Sequence, residues 1–130
     1  VGYINTPEGE AAVEYGIREA QLREGKLVVV HSMVGGDHED VEEYRESAEA
    51  MERIRQRLHD EGIDHCTHEY VRGQRPVDDL LEAVESHDAG MIVIGIRSRS
   101  TTGKLLLGSN ALEILHDSSV PVMCVKADED

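Results

Sequence analysis

The stretch GIRSRSTTGKLLLGSN, residues 95–110, joins a wholly apolar run to the opening of a helix through a loop of small, hydroxyl-bearing and basic residues. The run before it, Met91-Ile92-Val93-Ile94, shows no polar alternation, as expected of a strand covered on both faces by helices. Such a strand belongs in mid-sheet. After the loop, Gly108-Ser109-Asn110 leads into Ala111, Leu112, Ile114 and Leu115 at helical spacing. The first amides of that helix then point toward the loop without intrahelical acceptors, an arrangement suited to an anion.

Outward from this stretch the chain repeats the same grammar. Val1 to Ile4 reads as a short first strand, and Thr6-Pro7 supplies an N-cap and a first helical residue. A helix follows on Ala12, Val13, Gly16, Ile17 and Ala20, stopped at Gly25. Leu27 to His31 is a second apolar strand. Val41, Tyr44, Ala48, Met51, Ile54 and Leu58 mark one face of a long helix that ends at Gly62. Ile63 to Val71 is a more polar strand and so belongs at a sheet edge. Pro76 starts a third helix through Leu80, Leu81 and Val84; the strand Gly90 to Ile96 comes next, and Val120 to Lys126 is the last strand. The order β-α-β-α-β-α-β-α-β, without repeat or linker, predicts an α/β fold with a doubly wound parallel sheet in one domain, residues 1–130. At this length roughly two thirds of the unfolded surface can be buried. Ligands of such sheets bind beyond the carboxyl ends of the strands, where the strand order reverses.

Charge narrows the possible partners. Thirteen Lys and Arg against 27 Asp and Glu give a net charge of −14, which excludes a general nucleic-acid or anionic-membrane surface. With only three lysines, the composition resembles that of proteins from salt-loving organisms, although an acidic solvated surface also serves an ordinary cytosol. Against this background Arg72, Arg75, Arg97, Arg99 and Lys104 fall in two acid-free loops at the predicted ligand edge. There they suit a small anionic ligand, phosphate above all. Ion pairing of the same arginines with Asp78, Asp79 or the second helix is the competing reading. Ser98, Ser100, Thr101, Thr102 and Ser109 add hydroxyls able to bond phosphate or to accept it, and Ser109 at the helix start is the best placed.

Other chemistry is thinner. A P-loop would need a glycine and a hydroxyl where the chain has Ser98 and Leu105 around Gly103-Lys104. In His65-Cys66-Thr67-His68, strand alternation turns His65 away from Cys66 and His68, leaving too few ligands for a closed metal site, and no metal site is expected. His31 reads as a packed histidine, for want of a partner nucleophile. Cys66 and Cys124 form no disulfide framework. No signal-peptide pattern opens the chain and no apolar run approaches the ~18 residues of a membrane span, so a soluble cytoplasmic protein is expected.

The order of elements, the segment Gly95-x2-Ser98-x9-Gly108-Ser109 and the terminal VPVMCVK strand together resemble the universal stress protein family over essentially the whole chain. The resemblance implies a Rossmann-like sheet, of the adenine nucleotide alpha hydrolase type, with strand order 3-2-1-4-5. It implies a homodimer formed by antiparallel pairing of the last strands, through Val120, Val122, Met123, Cys124 and Val125. An apolar edge strand with unpaired backbone needs such cover in any case. It also implies a site for ATP or another adenine nucleotide, with magnesium arriving only with the nucleotide. Carried over by position, Ile94 and Gly95 lie near ribose and phosphate, Gly108, Ser109 and Asn110 cradle phosphate, and Ser32 lies by the adenine. Arg97, Ser98, Arg99 and Lys104 belong to the intervening loop. Two positions depart from the nucleotide-binding pattern: Ser98 replaces its second glycine, and Ile4 stands where an Asp usually follows the first strand. The expected role is a dimeric stress-response module that binds nucleotide without needing turnover. A nucleotide-free dimeric adaptor, and a slow ATP hydrolase or self-phosphorylating protein, are the alternatives.

Overall fold

A computed structural model describes residues 1–33, 41–71, 75–97 and 107–127. Five parallel strands, β1 (Gly2–Tyr3), β2 (Leu27–Met33), β3 (His65–Val71), β4 (Ile92–Ile96) and β5 (Val122–Lys126), form one sheet in the order β3-β2-β1-β4-β5. Four helices alternate with them: α1 (Pro7–Arg23), α2 (Val41–Asp60), α3 (Pro76–Ser86) and α4 (Ser109–Asp117). The strand order reverses between β1 and β4, which both lie inside the sheet, so the predicted 3-2-1-4-5 arrangement and its crevice are present.

Strand alternation distributes the core onto two faces. Leu27 and Val29 of β2 point to α1 and α2, where they pack with Tyr3, Val13, Ile17, Met51, Ile54 and Leu58. Val30 points the other way, into a cluster built from α3, α4 and β4 that includes Val77, Leu80, Ile92, Ile94 and Ile114. The same alternation carries beyond the apolar residues. His31 meets the ring of Tyr3 on the first face, and Ser32 meets Asp79 of α3 on the second.

Helix ends follow their local chemistry, with one correction. Thr6 caps α1 by accepting a hydrogen bond from the Gly9 amide at 3.1 Å, and Pro7 is its first residue. Gly25 was expected to turn the chain out of α1, but the left-handed residue is Glu24, at φ 52°. Gly25 instead donates its amide to the Ala20 carbonyl at 2.9 Å, the outer bond of a Schellman turn. At the end of α2, Gly62 does take the left-handed conformation, at φ 68°.

The α2 face is also shorter than its periodicity suggests. Residues 41–46 are exposed, Val41 and Tyr44 among them, and burial begins at Ser47. A 20-residue helix runs about 30 Å against about 23 Å for a seven-residue strand, so the first turns overhang the sheet. Leu112 and Leu115 of α4 likewise stand exposed, while Ile114 alone in that helix is buried. Among the described residues, no helix is long and apolar enough to cross a membrane.

Candidate functional site at the carboxyl edge of the sheet

Four helix starts offer amide groups to a ligand, and they differ in what already occupies them. α1 is capped by Thr6 and carries Glu8 and Glu10 in its first turn; α2 begins with Glu42 and Glu43, and α3 with Asp78 and Asp79. Those acids satisfy the positive end of the helix dipole and repel anions. α4 has Gly108 at its N-cap, no side-chain cap and no acid in its first turn. Its first internal bond runs from the Leu112 amide to the Gly108 carbonyl at 3.0 Å, so the amides of Ser109, Asn110 and Ala111 precede the ladder. Gly108, Ser109 and Asn110 are all exposed, and among the described residues a Cβ at Gly108 would meet nothing within 4 Å. Among the described residues, no side chain caps the tip of α4.

The two glycines of the sequence motif do different jobs. A Cβ at Gly95 would lie 2.0 Å from the Glu8 carbonyl oxygen, and one at Gly9 would lie 1.8 Å from that of Ile4. Both close approaches belong to one junction, where the first turn of α1 settles on the ends of β1 and β4. Gly95 was assigned to ribose and phosphate by resemblance; its missing side chain makes room for α1. Ile94, beside it, is buried in the α3–α4 core and offers a ligand little but backbone.

The basic residues do not gather as expected. Arg75 is spent on its own helix and on α4: it donates to both carboxylate oxygens of Asp78 at 3.1 Å and lies 2.6 Å from Glu113. Pairing of this kind was the competing reading, and for Arg75 it holds. Asp78 is held below the usual carboxylate range by that guanidinium. Among the described residues, Arg97 has its side chain 86% exposed and makes one long ion-pair contact, 3.7 Å to Glu8. Arg72, Ser98, Arg99, Ser100, Thr101, Thr102 and Lys104 lie outside the described residues. Ser32, expected by the adenine, donates its hydroxyl to the buried Asp79. Ile4 stands 47% exposed at the end of β1, an apolar group where the nucleotide-binding pattern has a carboxylate.

The sequence offered Asp79 only as an ion-pair partner for the loop arginines, and its burial beside Ser32 went unread. It sits among the apolar positions of α3, 1% exposed, and accepts a hydrogen bond from Ser32 across the β2–α3 face. A cavity of about 340 Å³ opens at the opposite, amino edge, between Lys26, Leu27, His87, Gly90 and Met91. None of its lining residues belongs to α4, and it lies at the ends of α1 and α3 where the helix dipole is negative, so the carboxyl edge is the better candidate for an anion.

Known proteins supply the decisive comparison. The sequence model of the universal stress protein family matches residues 1–126. A universal stress protein of Mycolicibacterium smegmatis is 40% identical over 126 residues, covering 97% of this chain and 95% of that protein. The chain belongs to the universal stress protein family. The structure of a universal stress protein from Archaeoglobus fulgidus superimposes with a TM-score of 0.77 at 35% identity, covering 97% of this chain and 93% of that one. A second structure from that organism, in complex with dAMP, gives a TM-score of 0.70 at 29% identity, over 97% and 92% of the two chains.

In this universal stress protein His31 is a core residue, as its surroundings predict. It is buried against Tyr3, and burial lowers its pKa from the ordinary 6.5, with the charge of Glu69 opposing. The folded state therefore holds fewer protons than the unfolded state just below pH 6.5. Stability is expected to fall as pH drops through 6.5 toward the depressed folded value, and the His31→Leu variant should lose that part of the slope. Urea unfolding between about pH 7.5 and 5 measures it; identical slopes for parent and variant would remove His31 from the account.

Proposed function

We propose that this universal stress protein is a regulatory module that binds an adenine nucleotide, AMP-like or ATP, in the crevice between β1 and β4. The phosphate rests on the amides of Ser109 and Asn110 at the α4 tip. The observation that carries the reading is the state of that tip among the described residues: without a side-chain cap, free of acid and exposed, where the other three described helix starts all carry acid in the first turn. Helix dipole and free amides together favour a phosphate there. The dAMP complex of the Archaeoglobus fulgidus relative supports the choice of an adenine nucleotide. Arg97, with its side chain 86% exposed, supplies a counter-charge, joined in this reading by Arg99, Lys104 and Ser98 of the loop. Magnesium enters only with the nucleotide.

The module works as a homodimer in this reading. Among the described residues β5 pairs with β4 alone, and Val122, Met123 and Cys124 are half-buried on that edge strand, between Val120 and the buried Val125. Antiparallel pairing of two β5 strands covers the backbone and the apolar side chains together. Sedimentation equilibrium at high salt, where the self-repulsion of chains bearing −14 is screened, should return the mass of two chains. Two unpaired thiols, Cys66 and Cys124, fit a reducing cytoplasm.

One observation favours a second reading, a nucleotide-free dimeric adaptor: Ile4 places an exposed apolar side chain where a carboxylate would help hold the nucleotide. Slow hydrolysis or self-phosphorylation on Ser109 is the further alternative, distinguished by phosphate release or its absence. Calorimetry with ATP, ADP, AMP and dAMP at high salt is expected to detect saturable one-to-one binding of at least one of them. Heat from none would leave the adaptor.

A further inference from the structure

We propose that Cys66, His68 and His87 form a zinc site of three protein ligands with one open position, at the β3 edge and remote from the nucleotide crevice. Cys66 and His68 are two apart on β3 and project from the same face, toward α3, in register with Val28 and Val30 of β2. The sequence yields these two and stops there. The fold adds His87, the residue that caps the carboxyl end of α3 and is brought over the edge strand by the β3–α3–β4 crossover. One ligand atom from each of the three lies within 4.8 Å of the others. His68 Nε2 is 2.8 Å from His87 Nε2 and 3.3 Å from Cys66 Sγ.

Hydrogen bonding alone serves this cluster poorly. A neutral imidazole nitrogen offers either one proton or one lone pair, yet His68 Nε2 has two partners at bonding distance. A cation at the centre uses the lone pairs of all three groups at once. The separations are close to what tetrahedral zinc requires: bonds of about 2.05 Å to nitrogen and 2.3 Å to sulfur place ligand atoms roughly 3.3 to 3.6 Å apart. The sulfur–nitrogen distance is already near that range, and the two nitrogens need to open by about half an ångström. Thiolate with two imidazoles is a borderline-soft set that suits zinc over magnesium or calcium. All three residues are half-buried, sheltered from bulk water while still reachable by an ion. The ring of His68 is further oriented by stacking on Tyr70, centroids 5.8 Å apart. His65 lies on the other face of β3 and bonds the Ile63 carbonyl at 2.7 Å, so it is a built-in control.

Equilibrium dialysis of the full chain against zinc, with metal counted per chain, tests the assignment. One zinc per chain is expected, with affinity falling on the order of 100-fold in Cys66→Ser and in His87→Ala and unchanged in His65→Ala. Cobalt(II) in place of zinc should show a thiolate charge-transfer band that disappears in Cys66→Ser and persists in Cys124→Ser. Circular dichroism of each metal-free variant establishes that it is folded. Weak, non-stoichiometric zinc uptake, or stoichiometric uptake indifferent to Cys66→Ser and His87→Ala, would overturn the proposal. Nucleotide binding is read separately on the same variants and is expected to stay at the parental level, since none of these residues lies at the carboxyl edge.

Discussion

Gly95→Ala is expected to destabilise the fold by about 3 kcal/mol, at the upper end of the range for overpacking, and to lower the thermal midpoint on the order of 10 °C. The added Cβ would stand 2.0 Å from the Glu8 carbonyl oxygen and 2.4 Å from its carbon. Those are backbone atoms, which no rotamer change can move aside. α1 would have to lift from β4, and with it the packing of Ala12 against Val93 and Val125. Gly9→Ala acts on the same junction, 1.8 Å from the Ile4 carbonyl oxygen, and should cost as much. Because the two positions share one contact surface, their costs should not add. Gly90→Ala, whose Cβ meets nothing within 4 Å, is the control and should change stability by less than about 0.5 kcal/mol. Thermal or urea unfolding measures all three. A Gly95→Ala protein as stable as the parent would show that α1 is not held at this junction. If the expected loss is found, weakened nucleotide binding by Gly95 variants cannot be taken as loss of a ligand contact.

That distinction marks where sequence reasoning reached and where it stopped. The placement of strands and helices was legible because it depends on local pattern: continuous apolar runs for Leu27–Val30 and Ile92–Ile94, and Thr6-Pro7 and Arg75-Pro76 before helix starts; the order of the strands in the sheet came from the family resemblance. The α4 tip was legible for the same reason, since Gly108 and the acid-free first turn are neighbours in the chain. What stayed hidden depends on pairs distant in sequence. Nothing local tells that Arg75 reaches Glu113, that Ser32 is held by Asp79, or that His87 arrives beside His68. Gly95 was read as a ligand contact because a glycine in a loop motif looks the same whether its empty side receives a phosphate or a helix. The position of Glu8 shows that the side of Gly95 where a Cβ would stand is taken by α1.

Gly108→Asp should separate helix stability from ligand affinity, moving the two in opposite directions. Aspartate at the N-cap accepts from the amides of Asn110 or Ala111 and puts negative charge on the positive end of α4, now bare. The backbone at Gly108, φ −67° and ψ 165°, is open to any residue, and its Cβ meets nothing within 4 Å among the described residues. Stability should rise by about 0.5 kcal/mol. The carboxylate takes the donors that phosphate needs, and hydrogen bonds to a charged group are worth roughly 1.5–3 kcal/mol. Nucleotide affinity should therefore fall about 10- to 100-fold. Gly108→Asn caps the same amides without charge and should lose less, which divides occupancy of the donors from repulsion of the phosphate. Unfolding curves and calorimetry on the same preparations read both quantities. If affinity for the nucleotide holds in Gly108→Asp while the helix gains stability, the phosphate does not sit on the α4 tip, and any nucleotide this protein binds is held elsewhere.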